Sequence, residues 1–421
     1  MARATTRSDE LAAPRPDDAT RVLVATSEDA LRPYVDDWDA LAVANSEPTS
    51  SPHWMLPWWR HARPADAALR TVVVRDDDGL AGIAPFFAQR GRTGIVRYRL
   101  LGAGCSGEME LLARPGSERS VARSVVRALS GARPRPDTLY LDGVRAGSTW
   151  PRLLSDAWPG RSSLPIRSEL ELRAPYLRIE GAYDDWLASK SRNFRQNLRR
   201  KRRKLEGLGA VFSRVGDPAE LEEAISAFGR LHRARWSDRG GSRVLGPGVD
   251  RMLVDAGRVL IPMGRLDIWT ISVEGRCISS HLFLRAGGTT TYWLGGFDDD
   301  WSGHQPALLS LLAAIEDAFA SGLDRVDLGV GAQEYKLRFA DDEELVRRVN
   351  VVTRPAIVPL ARLEVLPQRL RLLAAERLPP RAKDAAKALA ARIGGRHDTP
   401  SSPSATTSAT TSATTSAGSD A

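Results

Sequence analysis

At 421 residues with 42% apolar content, the chain is long enough to bury a large core and to divide into two domains. Its 60 Lys and Arg against 52 Asp and Glu give a formal charge of +8, which favours anionic partners such as phosphorylated metabolites, nucleic acid or an anionic membrane surface. Two cysteines far apart, Cys105 and Cys277, exclude a disulfide framework and a CxxC metal pair, and the absence of an apolar leader or of any run of about 18 apolar residues speaks against export and membrane spanning. A reduced cytoplasm is the expected location.

Residues 1–19, with Pro14, Pro16 and several charges, read as a disordered lead. Arg21–Thr26 is the first predicted strand, followed by a helix that places Leu31, Tyr34, Val35, Trp38 and Leu41 at helical spacing. Trp54, Trp58 and Trp59 lie close together; such rings either line a cleft or, more often, plug a core. A hairpin over 69–89 turns at Asp76–Gly79, a strand over 95–101 ends in the flexible Gly102–Gly107, and a helix over 117–129 leads to a strand over 138–144.

The next feature is a run of cations without an acid: Lys190, Arg192, Arg195, Arg199, Arg200, Lys201, Arg202, Arg203 and Lys204. Phe194, Leu198, Leu205 and Leu208 recur through it at helical spacing, so it reads as a basic amphipathic helix. Its bland reading is a solvated face. Its sharper reading is a phosphate-holding surface, in which Arg forks two N–H groups to one phosphate. DNA binding is disfavoured, because no recognisable nucleic-acid fold accompanies the run. Asp217-Pro218 then caps a helix carrying Leu221, Ile225, Phe228 and Leu231, with Glu220 at the capping-box position. The Gly-rich 238–249 stretch reads as a mobile loop.

From Asp267 to Phe339 the pattern is strand, turn, strand, turn, strand, helix, strand. The strand over 267–273 alternates, a second runs over 277–285, and a third over 289–297 is rich in β-branched and aromatic residues. Pro306 opens a helix with a broad apolar face, Gly322 ends it, and 325–328 is a short buried strand. The order strand, acidic-Gly turn, strand, helix, strand also occurs over 71–143, so the chain contains two copies of one α/β unit. The expected organisation is a domain over 20–165, a second over 166–355, a basic helical extension over 356–396 that packs, meets a partner or lies on a membrane, and a disordered Ser/Thr/Ala tail from 397.

Lys190-Ser-Arg-Asn-Phe-Arg-Gln-Asn-Leu-Arg-Arg200, Gly295-Gly-Phe-Asp298 and Asp327-Leu-Gly-Val-Gly-Ala-Gln-Glu-Tyr-Lys-Leu-Arg-Phe339 together resemble the GNAT-fold acyltransferases of the CelD/BcsL (BioF2-like) type of cellulose biosynthesis, relatives of the Fem aminoacyl transferases. The resemblance covers about residues 20–355. It implies an α/β (α+β) class with tandem GNAT-like domains, each a mixed, mostly antiparallel sheet flanked by helices. It also implies transfer of an acyl group, with acetyl-CoA as the expected donor and no metal, to an amine or hydroxyl of a polysaccharide or cell-envelope precursor. The other open readings are a Fem-like transferase using charged tRNA and a non-catalytic protein binding a phospho-ligand or a synthase; for the last, the first copy reads as degenerate, because Gly102–Gly107 and Leu141–Gly143 lack the Gln-Glu-Tyr-Lys continuation that follows the second. A cytoplasmic protein, in peripheral contact with the membrane or a synthase, fits each of them.

Under this reading the donor lies against Leu294, Gly295 and Gly296, with its pyrophosphate at Ser302, Gly303, His304 and Gln305. There the chain departs from the usual Q/R-x-x-G-x-G/A loop, keeping only Gly303 and adding Pro306. His281, Tyr335 and Lys336 are the candidate catalytic groups. His281 is a general base or a hydrogen-bonded core histidine, Tyr335 a proton donor to a thiolate or a buried structural tyrosine, and Lys336 an anion-neutralising cation or half of a surface ion pair. Lys190, Arg192, Asn193, Arg195, Arg199, Gln333 and Glu334 are the candidate acceptor-binding residues.

Overall fold

A computed structural model describes residues 20–91, 93–159, 166–237, 241–242, 244–331 and 333–360. The expected disordered lead and tail, most of the basic extension and part of the Gly-rich 238–249 stretch lie outside the described residues. The first half contains β1 (Arg21–Ala25), α1 (Val35–Ala44), α2 (Pro52–His61), β2 (Ala68–Leu69), β3 (Thr71–Asp76), β4 (Gly79–Ala84), β5 (Phe86–Arg90), β6 (Val96–Leu100), β7 (Leu112–Ala113), α3 (Glu118–Gly131), β8 (Thr138–Arg145) and α4 (Trp150–Asp156). The second contains β9 (Ile166–Arg178), α5 (Tyr183–Ser189), α6 (Arg192–Glu206), β10 (Val211–Val215), α7 (Leu221–Trp236), α8 (Val249–Leu260), β11 (Leu266–Val273), β12 (Arg276–Ala286), β13 (Thr289–Phe297), α9 (Pro306–Ala320), β14 (Arg325–Asp327), α10 (Glu334–Leu337) and β15 (Asp342–Val352).

The class is mixed α/β, as expected. The halves share one eleven-stranded sheet of order β10-β11-β12-β13-β14-β9-β15-β8-β6-β5-β2, and β1-β3-β4-β7 form a second, smaller sheet. Among the described residues only β6–β8 and β13–β14 pair in parallel. In each case a helix, α3 or α9, separates the two strands in sequence, which is the connection that parallel pairing demands. These corresponding pairs are the structural form of the internal repeat.

What joins the halves is β15, seated between β9 and β8. The sequence reading passed over β9 and β15 because both are rich in charge and β9 contains Pro175. Their pairing accounts for the charge: Arg347 lies opposite Glu171 in the register and is ion-paired to it at 2.8 Å, and Arg173 meets Glu343 at 2.9 Å. Cross-strand complementarity replaces hydrophobic alternation as the signal. The reading also passed over α5, β10 and α8.

One apolar core packs α1, α2, α3, α7 and α8 against the sheets, and a second packs α5, α6 and α9 on the opposite side. Trp54 and Trp58 are buried in the first core, where the tryptophan cluster forms packing around Phe87 and Trp293. In α6, Phe194, Leu198 and Leu205 are buried as the stripe requires, but Leu208 is 49% exposed. The helix ends at Glu206, so Leu208 falls outside the stripe. Ser191 caps α6 by accepting from the Phe194 N–H at 3.3 Å. Asp217 caps as expected, accepting from Ala219 N–H, but Pro218 opens a short 3₁₀ turn and α7 starts only at Leu221.

Gly248 precedes α8 with φ of +82°, and a Cβ there would overlap the backbone carbonyl of His61 at the end of α2. Positive φ and close approach both require glycine. Gly248→Ala is expected to lower stability by about 2–4 kcal/mol, seen as a lower urea midpoint at unchanged slope. An unchanged midpoint would contradict the α2–α8 packing described here.

Candidate active site

β13 pairs with β14 only over Thr289–Thr291 against Arg325–Asp327. Beyond that point β14 ends and the chain turns at Gly329 (φ +71°), while β13 continues to Phe297 along β12. The strands therefore part. A one-residue bulge assists: Phe283 pairs with Tyr292 and Leu282 with Leu294, leaving Trp293 as the extra residue. Trp293 reaches into the first half, donating its indole N–H to the Cys105 carbonyl at 3.0 Å and meeting Trp54 edge-on with ring centroids 5.1 Å apart.

The divergence opens a cavity of about 220 Å³. The second half lines it with Thr291, Tyr292, Trp293, Leu294, Gly329 and Val330, and the first half with Thr49, Gly104–Glu108, Asp142 and Gly143. The Gly102–Gly107 stretch, expected to be flexible, is a wall fixed by N–H bonds from Cys105 and Ser106 to the Gly102 carbonyl, each 2.9 Å. Ser106 Oγ also accepts from the Trp54 indole at 2.9 Å.

His281, Tyr335 and Lys336 come together behind this cavity through Tyr292, which the sequence reading had not singled out. The His281 and Tyr292 rings stack with centroids 5.7 Å apart, Tyr292 and Tyr335 share a hydrogen bond, and Lys336 Nζ lies 5.5 Å from the Tyr292 ring centroid. Gly295 admits the cluster: a Cβ there would lie 2.6 Å from His281 Nε2 and 2.7 Å from Tyr292 Oη. His281 is buried, and burial pushes it down to about 3. It is therefore neutral at pH 7 and a weak proton acceptor. Ser279 Oγ lies 3.3 Å from its Nδ1 and is itself bonded to Ser310 on α9, the environment of a core histidine.

Lys336 is 3% exposed and forms no surface ion pair. Its Nζ donates to the Gly329 and Val330 carbonyls at 3.1 and 3.2 Å, bracing the cavity wall from behind. Burial pulls it down to about 7, against the raising influence of Glu108. Tyr335 and Tyr292 are both raised by burial, Tyr292 strongly, so both remain protonated. They can donate hydrogen bonds.

Glu108 is the titratable group that both halves build together. It lines the cavity, is buried, and lies 3.1 Å from Arg145 Nη2. Arg145 also meets Glu47, Asp327 and Glu344, and Arg325 meets Asp327 and Glu344 at 2.5 and 2.7 Å. Desolvation, with Asp327 adding, raises Glu108 to about 7, and desolvation raises Glu47 to about 8 despite Arg145. The signal available in the sequence was an acid directly after a Gly-rich strand-end loop, the kind of loop on which α/β folds place function.

Of the other expected site residues, Leu294 lines the cavity. Gly295 and Gly296 adjoin it and serve packing: the Gly295 carbonyl bonds His232 Nδ1 at 2.9 Å, and a Cβ on Gly296 would lie 2.5 Å from the His232 nitrogen of α7. Ser302, Gly303 and His304 form a 3₁₀ turn, and Gln305 (φ +54°) leads into α9. Helix α6 latches this turn, since Lys201 Nζ donates to the Gly303 carbonyl and Asn197 Nδ2 to Gln305 Oε1 at 2.9 Å. Lys190 and Asn193 line a separate groove with Phe194, Asn197 and Arg338. Arg192 and Arg199 point to solvent, Arg195 is half-buried, and Gln333 and Glu334 are exposed at the start of α10. None of these seven borders the cavity. Among the described residues no group of His, Cys, Asp and Glu could hold a metal, and no helix is long and apolar enough to cross a membrane.

Residues 192–337 match the family described as acetyltransferase (GNAT) domain, and that segment holds α6 to α10, including the parting strands. No curated protein sequence matches the chain. Among solved structures, FemX is similar at 11% identity and a TM-score of 0.56, over 80% of this chain and 98% of its own. A conserved protein of unknown function from Bacteroides thetaiotaomicron is similar at 11% identity and 0.51, over 78% of this chain and 100% of its own. L-PGS from Bacillus licheniformis gives 11% and 0.50, over 81% and 95%. The likeness is one of fold.

Glu108 and Glu47 are raised from 4.5, so their contribution to stability is present below that value and lost as pH rises through about 7 to 8. Lys336, lowered from 10.5 to about 7, acts in the opposite sense, adding stability as pH rises between those values. His281, lowered from 6.5 to about 3, likewise adds stability as pH rises between those values, so the cluster is read from the difference between variant and wild type. The melting temperature of Glu47→Gln relative to wild type is expected to rise between pH 5 and 8, because the variant lacks the group whose proton the folded state retains. A difference that stays constant over that range would contradict the buried cluster.

Proposed function

We propose that the protein transfers an acyl group from a thioester donor of the acyl-CoA class to an amine or hydroxyl of a polysaccharide or cell-envelope precursor. The observation that carries this reading is the parting of β13 from β14 over a cavity faced by Glu108. A thioester carbonyl laid along the open edge of β13 meets backbone groups there, as a polarised carbonyl requires. The acceptor nitrogen or oxygen attacks the carbonyl carbon and its proton passes to the Glu108 carboxylate. The C–S bond then breaks, and the sulfur leaves as a thiol with a proton supplied through the Tyr292–Tyr335 pair, which Glu108 restores. Raised to about 7, Glu108 is matched to proton exchange near neutral pH. Lys336 positions the Gly329–Val330 wall and adds positive potential when protonated.

A second reading is favoured by the turn before α9. With the Gln305 N–H already given to the Ser302 carbonyl at 3.0 Å, and with no N–H at Pro306, this turn is a poorer pyrophosphate cradle than an open helix N-terminus. An activated ester donor without a pyrophosphate, such as a charged tRNA, fits that feature. The acceptor's sugar or phosphate groups would enter from the first half.

Isothermal titration with acetyl-CoA decides between the donors: binding in the micromolar range is expected, and none at millimolar ligand in folded protein would overturn the thioester reading. With an active acyl-CoA and acceptor pair, Glu108→Gln should lower thiol release about 100-fold, remove the acid limb of the rate profile near pH 7 and leave acetyl-CoA affinity unchanged. Retention of that limb would assign the base elsewhere.

A further inference from the structure

Besides Glu108 and the parted strands, the cavity is lined where β9, β15 and β8 run side by side, by Leu172, Val346, Arg348 and Asp142. Both neighbours of β15 bulge at this point. In β8, Asp142 and Gly143 together stand against Arg348, since Arg347 pairs with Val144 and Val349 with Leu141; in β9, one extra residue separates Leu170 and Ser168, the partners of Arg348 and Val349. Bulges of this kind re-aim side chains and gather beside functional sites. β15 itself keeps its alternation, so Val346, Arg348 and Asn350 share the side that faces the cavity.

Arg348 is half-buried, and its one carboxylate neighbour among the described residues is Asp142, whose Oδ1 lies 3.9 Å from Nε, beyond hydrogen-bonding distance. Asp142 Oδ2 already accepts from Arg99 Nε and Nη2 at 2.9 and 2.6 Å. Two guanidiniums against one carboxylate leave a positive charge uncompensated. Arg347, next in the chain, is instead held by Glu171 at 2.8 Å. One step further along the cavity side, Asn350 is fully buried opposite Tyr140, and neither its amide nitrogen nor its oxygen has a partner. Unused guanidinium donors beside a buried, unpartnered amide are the chemistry that receives an oxyanion.

We propose that Arg348 binds an anionic group, a carboxylate or a phosphate, carried by the acceptor, so that the acceptor unit entering the cavity is an acidic sugar or amino-acid unit. The inference rests on the acyl-transfer reading for what the ligand does there, but not for its charge. Ser302–Gln305, the turn at which the donor's phosphates are expected, does not border the cavity, so the anion at Arg348 belongs to the other substrate. At about 220 Å³ the cavity falls below the roughly 300–1,000 Å³ of pockets for drug-sized ligands, which suits a single such unit.

Isothermal titration of the full chain with D-glucose 6-phosphate, D-glucuronate and D-glucose, one ring carrying a phosphate, a carboxylate or neither, tests it. One of the two anions is expected to bind at least about tenfold more tightly than glucose, the gain from a charge-assisted hydrogen bond, and the preferred anion tells a phosphorylated acceptor from a carboxylated one. Arg348→Gln should abolish that preference, whereas Arg347→Gln, which removes the same charge one residue away, should keep most of it. Should Arg348→Gln fail to fold, Arg348→Lys, which retains the charge without the planar fork, is expected to reduce the preference severalfold. Neither anion binding better than glucose, or equal losses in the Arg347 and Arg348 variants, would overturn the proposal. Titration of the same samples with acetyl-CoA keeps the two readings apart: acetyl-CoA binding without an anion preference overturns only the anion site, and an Arg348-dependent preference without acetyl-CoA binding upholds the site while overturning the thioester donor.

Discussion

The constraint on which the rest of the structure turns is the buried ionic cluster around Arg145. This residue ends β8 in the first half, and its guanidinium contacts Glu47 and Glu108 from that half and Asp327 and Glu344 from the second. Glu110 adds a fifth carboxylate, also raised by burial. Against these stand the guanidiniums of Arg145 and Arg325. Burying charges costs more than their attraction returns unless nearly every lone pair is used. The excess of acids is met by protonation, which is why Glu47 and Glu108 are raised instead of lowered by their arginine neighbour. The cluster fixes how β15 sits between the halves, and thereby where the cavity opens.

Seen from this cluster, the first half is a builder of the cavity as much as the second. It lacks the Gln-Glu-Tyr-Lys continuation that follows β14, and on that ground the sequence reading treated it as degenerate. Yet it supplies Glu108 and the Gly104–Gly107 wall. The second half supplies the parted strands and the Tyr292–Tyr335 pair. Neither half encloses the cavity alone; two unlike parts wall it together.

The legible part of the sequence was the part whose periodicity is local. Residues 267–328 read correctly because β11, β12 and β13 form successive antiparallel neighbours and α9 has a broad apolar face, so each element's pattern reflects contacts with its sequence neighbours. β9 and β15 were not legible, since their partners lie about 170 residues away, as Arg173 and Glu343 show, and their charges make sense only as pairs. The same distinction governs the site. Lys336 could be singled out from its own segment, but its burial could not. Glu108 and Tyr292 acquire meaning only from contacts between distant segments. The eight cations of α6 read as one phosphate-holding surface, and the structure divides that helix into a side that latches the turn before α9 and a side that meets solvent.

The proton inventory of the site follows from the same burial. Glu108 and Lys336 are displaced toward each other, the acid upward and the amine downward, each to about 7. Both shifts favour the neutral forms, and so narrow the gap of about six units that separates a carboxylate from an ammonium in solution. The opposed shifts need no catalytic purpose to exist, because desolvation disfavours the charged form of both. What the fold adds is their placement: Glu108 faces the cavity, while Lys336 stands behind its wall and donates to the Gly329 and Val330 carbonyls.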